Sequence, residues 1–527
     1  FCSFKNSNIV FFTLSGNVEF YSPKVDPKSH TPHHSLVIPK SSNSSAFYFA
    51  EEIHGIIAVG IRRIITMAMT CRNNIKRDSI ILDTINNLVP PDHMVRKLEK
   101  AVDWKFIYPL VKDLYSSEGR PSVDPVVLFK MIFINFCFGI NSMRKTCREI
   151  EVNLAYRWFI GYEMTEDIPN YSTWSQNYIR RYGNSEIFEQ IFSRILQEAL
   201  DSGFVDLETV FGDGTHVKAN ANKRKHTSEE VEIVKKCFDD SLLEEINRER
   251  AEDGRKEFKS LNRSELDFDP ETGEEVEIVK RKRIKQSTTD PESGNYHKGE
   301  HEECFAYEQQ TFCDRHGFVL SFETVAGNVH DSVSFFGAYR KLQERFGSQI
   351  KNVCLDAGYK TPAIAREIIA NGQTPILPYK RPQTKKGFFP KREYVYDEQF
   401  DCYICPNNQI LSYTTVNRQG YRQYKSNPEA CSKCPFRDKC TKSRNNTKVV
   451  TRHVWAEYLE TAEEVRYTQL WKDIYPLRKE TIERVFADAK ENHCLRFTRE
   501  RGLKKNRHRT SMIFACHNLE RIARWKW

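Results

Sequence analysis

Two strand-like stretches that each carry an aspartate constrain the fold of this chain more than any other feature. The stretch Glu208–Lys218 leads to Asp213, which has a glycine on either side. The apolar stretch Val353–Tyr359 contains Asp356, and a helix is predicted over 361–371. Open α/β sheets keep their sites at the carboxyl ends of strands. One such aspartate would mean little, because aspartates cap turns everywhere, but two in one domain indicate a site.

A third acid lies on a predicted amphipathic helix, Leu477–Lys490. Glu483 is beside the apolar stripe and on one helical line with Lys479 and Lys490. In an isolated helix, such a glutamate would most simply form surface ion pairs. The two aspartates upstream favour a cluster of three carboxylates instead. The apolar stripe has the i, i+3, i+4, i+7 spacing of a buried helix face and consists of Ile482, Val485, Phe486 and Ala489.

The chain from Pro90 to Asp206 is predicted to be mostly helical. Pro125 opens a nearly continuous apolar helix up to Phe138, which we expect to be central and buried. A second helix is predicted over 143–156. A third has Ser172 as its N-cap and ends in two arginines. This arrangement could present a helix to a DNA groove, and a purely structural helical bundle explains it equally well.

Two segments within the second half differ in character. Residues 223–290 are dense in glutamate and lysine and predict a solvated helical hairpin or a partly disordered arm. Residues 304–325 predict a β-hairpin around the turn Asp314–Gly317.

The composition sets the class of protein. The chain has 527 residues, a net charge of +9 and a hydrophobic content of 39%, as a soluble globular protein does. The segment from Arg496 to Trp527 contains ten basic residues and only two glutamates, which predicts a surface suited to phosphates. No stretch is long and apolar enough to predict a membrane span, since the run Gly55–Gly60 is soon followed by two arginines.

Five of the fifteen cysteines lie in one segment, residues 390–450. Their order is Cys402-x2-Cys405-x25-Cys431-x2-Cys434-x5-Cys440, and paired Cys-x2-Cys knuckles suit tetrahedral zinc. The pattern favours a reducing cytosol with a metal site over a secreted disulfide scaffold. The alternative is a small core of reduced cysteines. Aromatic and basic residues of this segment could lie along DNA, namely Tyr421, Arg422, Tyr424 and Lys425.

The order Asp213, Asp356, Glu483, with Glu483-x6-Lys490, resembles that of the DDE transposases of bacterial insertion sequences. The resemblance covers the chain from about residue 70 to its end. Further motifs are similar to the branch of that family with a cysteine-rich insertion: Asp213-Gly-Thr-His-Val-Lys-Ala-Asn, Asp356-Ala-Gly-Tyr and Arg499-x-Arg-Gly-Leu503. Two more are similar to its N-terminal helical domain: Gly119-Arg-Pro-x-x-Asp-Pro125 and Ser172-Thr173.

The resemblance implies a multidomain protein of mixed α+β and α/β type. A helical N-terminal DNA-binding transposase domain would span 67–206, and an RNase H-like mixed-sheet DDE catalytic domain would span 207–527. The catalytic domain would contain a charged helical insertion over 223–290 and a cysteine-rich, zinc-type insertion over 390–450. Its first strand would carry Asp213, Asp356 would follow the fourth, and Glu483 would lie on a late helix.

The resemblance also implies roles for individual residues. Asp213, Asp356 and Glu483 would bind two Mg2+ (or Mn2+) ions, which favour carboxylate oxygens, whereas three crowded acids without cations would repel one another. The zinc ligands would be Cys405, Cys431, Cys434 and Cys440, with Cys402 as the alternate. The DNA contacts would come from Tyr475, Arg478, Lys479, Lys490, Arg499 and Arg501.

One departure from the family pattern concerns the arginine before Glu483. The usual pattern is Tyr-x2-Arg-x3-Glu-x6-Lys, but four residues separate Arg478 from Glu483 here. Lys479 has the three-residue spacing, so either Arg478 or Lys479 could take the role of the arginine.

The sequence therefore predicts a transposase that binds the terminal inverted repeats of its element, cleaves there and joins the 3′ ends to target DNA. Its partners would be double-stranded DNA and a second copy of the chain, because synapsis of two ends requires at least a homodimer. It would act in the bacterial cytoplasm, associated with the nucleoid. The alternatives are an RNase H-like nuclease that cuts without joining and a non-catalytic DNA-binding remnant, against which the three intact acids argue.

Residues 1–66 are predicted to be a leader that is disordered or translated from upstream of the natural start. They contain no methionine and no sustained apolar period, and Met67 and Met69 directly precede the part of the chain that resembles the family. The alternative is a genuine but poorly structured N-terminal arm.

A protein that begins at Met67 is expected to keep the melting temperature, DNA binding and transposition of the full chain. A segment that buries little apolar surface cannot offset the entropy cost of ordering it. Thermal unfolding and a DNA-binding assay on the two proteins check this. If the shortened protein folds normally but binds or transposes markedly less well, the arm holds DNA, through Lys24, Lys28 and the neighbouring histidines.

Overall fold

The computed structural model describes residues 10–14 and 17–21 and then residues 80–527 with gaps at 81, 117, 119–120, 233–237, 262–265, 269–274, 278–280, 299–301 and 383. The chain divides into two units, Phe1–Leu82 and Asp83–Trp527. In the first unit, strands β1 (Val10–Leu14) and β2 (Asn17–Tyr21) form an antiparallel hairpin. The rest of the predicted leader over 1–66 lies outside the described residues.

The strands of the second unit belong to a central mixed sheet, two short ribbons and a separate antiparallel sheet. Numbered along the chain, they are β3 (Thr209–Lys218), β4 (His226–Glu232), β5 (Leu266–Phe268), β6 (Glu275–Glu277), β7 (Arg281–Ser287), β8 (Gly294–Lys298), β9 (Glu302–Asp314), β10 (Val319–Ala326), β11 (Asn352–Cys354), β12 (Thr374–Ile376), β13 (Val395–Asp397), β14 (Cys402–Ile404), β15 (Ile410–Val416), β16 (Tyr421–Ser426) and β17 (Val449–His453).

The α-helices of the second unit are concentrated before β3 and after β17. None of the helices within the described ranges combines the length and the apolar character needed to cross a lipid bilayer. They span Ile85–Leu88, Met94–Ala101, Ile107–Val111, Pro125–Cys137, Met143–Val152, Leu154–Ile160, Tyr171–Gln176, Ile187–Asp201, Asp239–Glu252, Asp331–Phe346, Pro362–Ala370, Pro428–Ser432, Arg437–Cys440, Ala456–Val465, Gln469–Ile474, Ile482–Glu491 and Leu503–Lys526.

The core helix, Pro125–Cys137, is the centre of the N-terminal helical region. Asp124 caps it by accepting a hydrogen bond from the backbone N–H of Val126 at 2.7 Å, and the proline occupies its first turn. Its last eleven residues are all buried, which confirms the predicted central position. Lys130 is the one charged residue among them, and its ammonium group is paired with Glu99 at 2.7 Å.

Two predicted boundaries in this region are wrong. The helix expected over 143–156 is two helices, because the side chain of Asn153 accepts the N–H of Ala155 and begins a new helix there. Ser172 is not the N-cap of the third helix, since Asn170 accepts the N–H of Ser172 at 2.9 Å and takes that place.

The central sheet has the strand order β10-β9-β3-β11-β12, and β8 is paired with the first five residues of β9. Strands β10, β9 and β3 are antiparallel neighbours, whereas β11 is parallel to both β3 and β12. The predicted hairpin over 304–325 is therefore confirmed as β9 and β10. Asp213 was expected where its strand ends, but β9 pairs with β3 as far as Lys218, so the strand continues past Asp213.

The C-terminal helix, Leu503–Lys526, is a central element rather than a basic surface. Most of it is buried, including Arg509, His517 and Asn518. Several of its basic residues bond within the protein: Arg509 donates to the carbonyl of Cys494 at 2.6 Å, and Lys526 pairs with Glu198 at 2.9 Å. The expected phosphate-binding surface over 496–527 is thus wrong for the buried part of this helix, which packs against the helical region and the sheet at once, whereas Lys504 and Lys505 at its start are exposed.

The charged insertion differs from the helical hairpin predicted for it. Its two ends, β4 and β7, form an antiparallel ribbon in which Glu230 lies opposite Arg283, with 3.5 Å between the charged groups. Between them the structure describes one helix, Asp239–Glu252, and the small hairpin β5–β6. Opposite charges across neighbouring strands stabilise a ribbon, and local charge density in the sequence does not reveal that pairing.

The cysteine-rich insertion is a five-stranded antiparallel sheet in the order β13-β14-β15-β16-β17. The expectation that its aromatic and basic residues lie along DNA is wrong for two of them. Tyr424 is fully buried in the small core of this sheet, and Arg422 is paired with Glu249 of the charged insertion. Tyr421 and Lys425 are exposed.

Candidate active site

Asp213 and Asp356 lie side by side on neighbouring parallel strands. Phe211 of β3 and Cys354 of β11 are paired in register, and each aspartate follows its paired residue by two positions. Residues two apart point to the same face of a sheet, and neighbouring strands are about 4.8 Å apart. The backbone therefore brings both carboxylates to one face, even though Asp213 is within its strand and Asp356 is just beyond its own.

Glu483 reaches this place from the helix Ile482–Glu491, here called the Glu483 helix. This helix packs against β3 and buries the predicted apolar stripe, which is confirmed residue for residue: Ile482, Val485, Phe486 and Ala489. The predicted start at Leu477 is wrong, because a separate 3-10 helix, Tyr475–Lys479, precedes it. Thr481 separates the two with non-helical backbone angles of φ −108 and ψ −94.

The guanidinium of Arg478 lies among the three acids. Its Nη2 donates to Asp213 Oδ2 at 2.5 Å and its Nη1 donates to Glu483 Oε1 at 3.0 Å. The Arg478 side chain is only 11% exposed. Burial disfavours its charge, but the carboxylates of Asp213, Asp356 and Glu483 outweigh that effect and raise the pKa of Arg478. All three acids therefore act on one buried cation.

This geometry bears on the choice between Arg478 and Lys479. The break at Thr481 directs Arg478 back towards Asp213, whereas the next residue, Lys479, is exposed. Arg478 is one residue further from Glu483 than the arginine of the family pattern, and the 3-10 turn accommodates this extra residue. In a continuous helix, the three-residue spacing of the pattern would have selected Lys479 instead. Within the described structure, Arg478 is the residue that faces the acids.

The two glycines beside Asp213 are required by close packing. A Cβ atom on Gly212 would lie 2.5 Å from the ring of Phe312 and 2.6 Å from Leu355. A Cβ atom on Gly214 would lie 2.8 Å from the carboxyl of Glu308. The prediction that these glycines clear space around Asp213 agrees with these distances.

Sequence reasoning missed a buried polar layer behind the acids. Four consecutive residues of β9, from Glu308 to Thr311, are polar and almost fully buried. Glu308 accepts from the hydroxyl of Ser334, and Gln310 accepts from the hydroxyl of Tyr359, each at 2.7 Å. The sequence contained a signal for this layer, because four polar residues in succession are unusual in a buried strand. Their hydrogen bonds indicate a layer that fixes the strands of the site.

The residues predicted to contact DNA are distributed around the acids. Lys490 lines a cleft of about 320 Å³ beside Gly214, together with Lys218 and Arg496. Arg499 and Arg501 are exposed and lie near Asn220, just beyond the end of β3, and Arg501 donates to the carbonyl of Asn220 at 3.2 Å. Tyr475 stacks on Trp471 with 4.7 Å between the ring centres.

The predicted zinc ligands line one small cavity: Cys405, Cys431, Cys434 and Cys440. The backbone N–H groups of Asn407 and Gln409 both donate to the sulfur of Cys405 at 3.4 Å. Burial, with the neighbouring thiols as a further cause, raises the pKa of Cys440. The four sulfur-bearing side chains are thus brought together by the fold.

Cys402, the alternate ligand, lies elsewhere in the insertion. It is on β14, opposite Ser412 of β15, and does not line the cavity. The next residue, Tyr403, faces the small core of this sheet, so the alternation of side chains along β14 directs Cys402 to the opposite face.

Two family models match this chain. One is described as a transposase domain (DUF772) and matches residues 83–180, and the other is described as a transposase DDE domain and matches residues 404–523. The second match contains Glu483, Lys490 and the four cysteines of the cavity, whereas Asp213 and Asp356 lie upstream of it. A search among curated proteins finds no significant match.

The helical region, the central mixed sheet and the Glu483 helix define a multidomain protein of mixed helix and sheet. The family matches make the class specific: the chain carries an N-terminal transposase domain followed by a transposase DDE domain. The predicted resemblance is thereby confirmed, and these domains indicate a transposase.

Replacing Arg478 by glutamine is expected to lower the free energy of unfolding by about 1.5–3 kcal/mol, the range for hydrogen bonds to charged groups. The substitution removes the cation shared by Asp213 and Glu483 and leaves their charges to repel. Denaturant unfolding in the presence of a chelator measures this change in the free energy of unfolding. Lys479→Gln is the matched control, because Lys479 is exposed, and equal effects of the two substitutions would contradict the interpretation.

Proposed function

We propose that this protein binds the terminal inverted repeats of a bacterial insertion sequence, cleaves the DNA there and joins the 3′ ends to target DNA. The observation that carries the proposal is the shared contact of Asp213 and Glu483 with Arg478, beside Asp356 on the neighbouring strand. The sheet supports an RNase H-like catalytic domain. Among the five strands of its main order, counted along the chain, Asp213 lies on the first and Asp356 follows the fourth.

The three acids fit the pair of Mg2+ (or Mn2+) ions that this chemistry uses. Their donor atoms are all carboxylate oxygens, which these ions prefer, and the guanidinium of Arg478 already lies where positive charge is needed. When bound, the ions would activate the attacking oxygen and stabilise the leaving oxygen in phosphodiester cleavage and strand transfer. Asp213, Asp356 and Glu483 would hold them.

The basic side chains around the acids would position the DNA. Arg478 is a planar double donor, so it could exchange a carboxylate for a phosphate oxygen of the bound strand. Lys218, Lys490 and Arg496 line the adjacent cleft, where they would bind further phosphates. Arg499 and Arg501 extend the same basic surface beyond the end of β3. Two copies of the chain would bring the two ends of the element together.

The cysteine cavity supports a structural zinc ion. Four sulfur atoms, two of them from a Cys-x2-Cys knuckle, are a donor set that tetrahedral zinc prefers. The two N–H groups that point at Cys405 would stabilise a thiolate there. Such an ion would join the short helices Pro428–Ser432 and Arg437–Cys440 to the antiparallel sheet, and its role would be to stabilise the insertion.

Asp213→Asn, Asp356→Asn and Glu483→Gln are each expected to abolish DNA cleavage and to leave DNA binding largely intact, because phosphate contacts from basic residues supply most of the affinity. Incubation of the purified protein with DNA from the element ends and Mg2+, followed by mapping of the products, measures both steps. Products that are cut but never joined would support the nuclease alternative.

The matched control is Glu491→Gln, because Glu491 is on the Glu483 helix but is exposed and paired with Arg496. This variant should cut and join at the normal rate. If one of the three acid variants also cuts at a normal rate, that residue is not part of the catalytic site.

The cysteines are expected to bind one zinc ion per chain. Cys431→Ser or Cys434→Ser should lose this ion and loosen the insertion, whereas Cys402→Ser should keep it, since Cys402 does not line the cavity. Elemental analysis of protein purified under reducing conditions without chelator gives the zinc content. If none of these substitutions changes the zinc content, the cysteines fill a core and hold no metal.

A further inference from the structure

Two buried histidines and an aspartate, none of them among the three acids or the cysteines of the cavity, converge on one point. Asp488 lies on the Glu483 helix, His493 follows that helix, and His517 lies on the C-terminal helix. Asp488 Oδ2 is 2.7 Å from His517 Nδ1 and 3.4 Å from His493 Nε2. Both histidine side chains are fully buried, and Asp488 is 36% exposed, which leaves one open side.

In each histidine, the outer ring nitrogen, which faces away from Asp488, determines whether the inner one, which faces Asp488, carries a proton. His493 Nδ1 lies 3.0 Å from the carbonyl oxygen of Phe136, to which only a protonated nitrogen can donate. A neutral His493 therefore has a lone pair on Nε2, the atom that faces Asp488. This Nε2 is buried and makes no hydrogen bond within the described structure. A lone pair and a carboxylate oxygen consequently face each other with no donor between them.

His517 has a similar arrangement with one additional neighbour. Its Nε2 lies 3.0 Å from the carbonyl oxygen of Gly317 and 3.1 Å from the guanidinium Nε of Arg521. The carbonyl requires a proton on this nitrogen, and the guanidinium requires a lone pair. When Nε2 accepts from Arg521, Nδ1 carries the proton and donates to Asp488 at 2.7 Å. When Nε2 instead donates to Gly317, Nδ1 has the lone pair, and three acceptor atoms then meet at one point. The remaining oxygen of Asp488 accepts from Asn492 at 2.7 Å.

We propose that Asp488, His493 and His517 bind a divalent transition-metal ion, most suitably Zn2+. Two imidazoles and one carboxylate are a zinc donor set, and a carbonyl that fixes the outer nitrogen of each ligand histidine is typical of metal sites. Ligand atoms on a tetrahedral zinc ion lie about 3.3 Å apart. The His493 contact already fits this separation, and the His517 contact would lengthen slightly. The fourth position would be open to water beside Asp488.

One rival explanation is a proton on His517 Nδ1, whose 2.7 Å contact with Asp488 has the length of a hydrogen bond. The other is a proton, and hence a positive charge, on His493. Burial opposes that charge, whereas Asp488 and Glu520 favour it, and together they raise the pKa of His493. However, an imidazolium should donate a short hydrogen bond to Asp488, and the contact is 3.4 Å long. A metal ion would satisfy all three inner atoms and keep both buried histidines neutral, with His517 Nε2 donating to Gly317 instead of accepting from Arg521. It would fix the Glu483 helix to the C-terminal helix.

The test is the metal content of the full chain, which does not depend on the proposed DNA chemistry. The unsubstituted protein should contain two zinc ions, one of them at the cysteines. The double variant C431S/C434S should retain one, and adding His493→Ala or Asp488→Asn to it should leave none. His226→Ala is the control, since His226 lies in the charged insertion, where its ring is 3.2 Å from the carbonyl of Lys223.

Cobalt substitution covers the case in which a variant fails to fold. Stripped C431S/C434S protein should bind one Co2+ and show visible absorption without a thiolate charge-transfer band, because Asp488, His493 and His517 supply only nitrogen and oxygen ligands. If this protein binds neither zinc nor cobalt, or if both His493→Ala and Asp488→Asn keep the full zinc content in folded protein, the cluster is held by a proton and the proposal is wrong.

Discussion

The contact between the Arg478 guanidinium and the carboxylates is the interaction on which the candidate site depends. Asp213 and Asp356 are neighbours on one sheet face, and Glu483 is added from a helix, so like charges accumulate in a partly buried place. Removing one partner from such a group is costly because the remaining charges stay buried and uncompensated. Arg478 reaches two of the acids only because the backbone breaks at Thr481. The break is therefore part of the site.

The C-terminal helix gives the helical region and the central sheet a common core. Asn518 donates to the carbonyl and accepts from the N–H of Val319, both at 2.9 Å, and so pairs with strand β10 as a neighbouring strand would. At its other end, Lys526 forms an ion pair with Glu198 of the helical region. Polar residues of a buried helix are stable when each finds a partner. A substitution in this helix would consequently affect both regions.

Local patterns in the sequence predicted the local structure well. The apolar stripe of the Glu483 helix, the hairpin β9–β10 and the buried core helix each follow from periodicity and turn residues within one segment. What could not be predicted depends on distant partners. Ten basic residues near the end of the chain indicated an exposed surface, but some of them have partners far away in the sequence, as Lys526 has in Glu198. The pairing of β4 with β7 is equally non-local.

The two aspartates and the cation between the acids are held in different ways. Asp213 accepts from the N–H of Gly214 at 2.9 Å, and Asp356 accepts from the N–H of Gly358, so each carboxylate is held by its own backbone. The strand is closely packed at Gly212, where an added Cβ atom would meet Phe312 and Leu355. Arg478, by contrast, lies on a short 3-10 turn that ends in irregular backbone. We therefore expect any exchange of the guanidinium for another cation to involve the Arg478 side chain and its 3-10 turn rather than the strands that carry the aspartates.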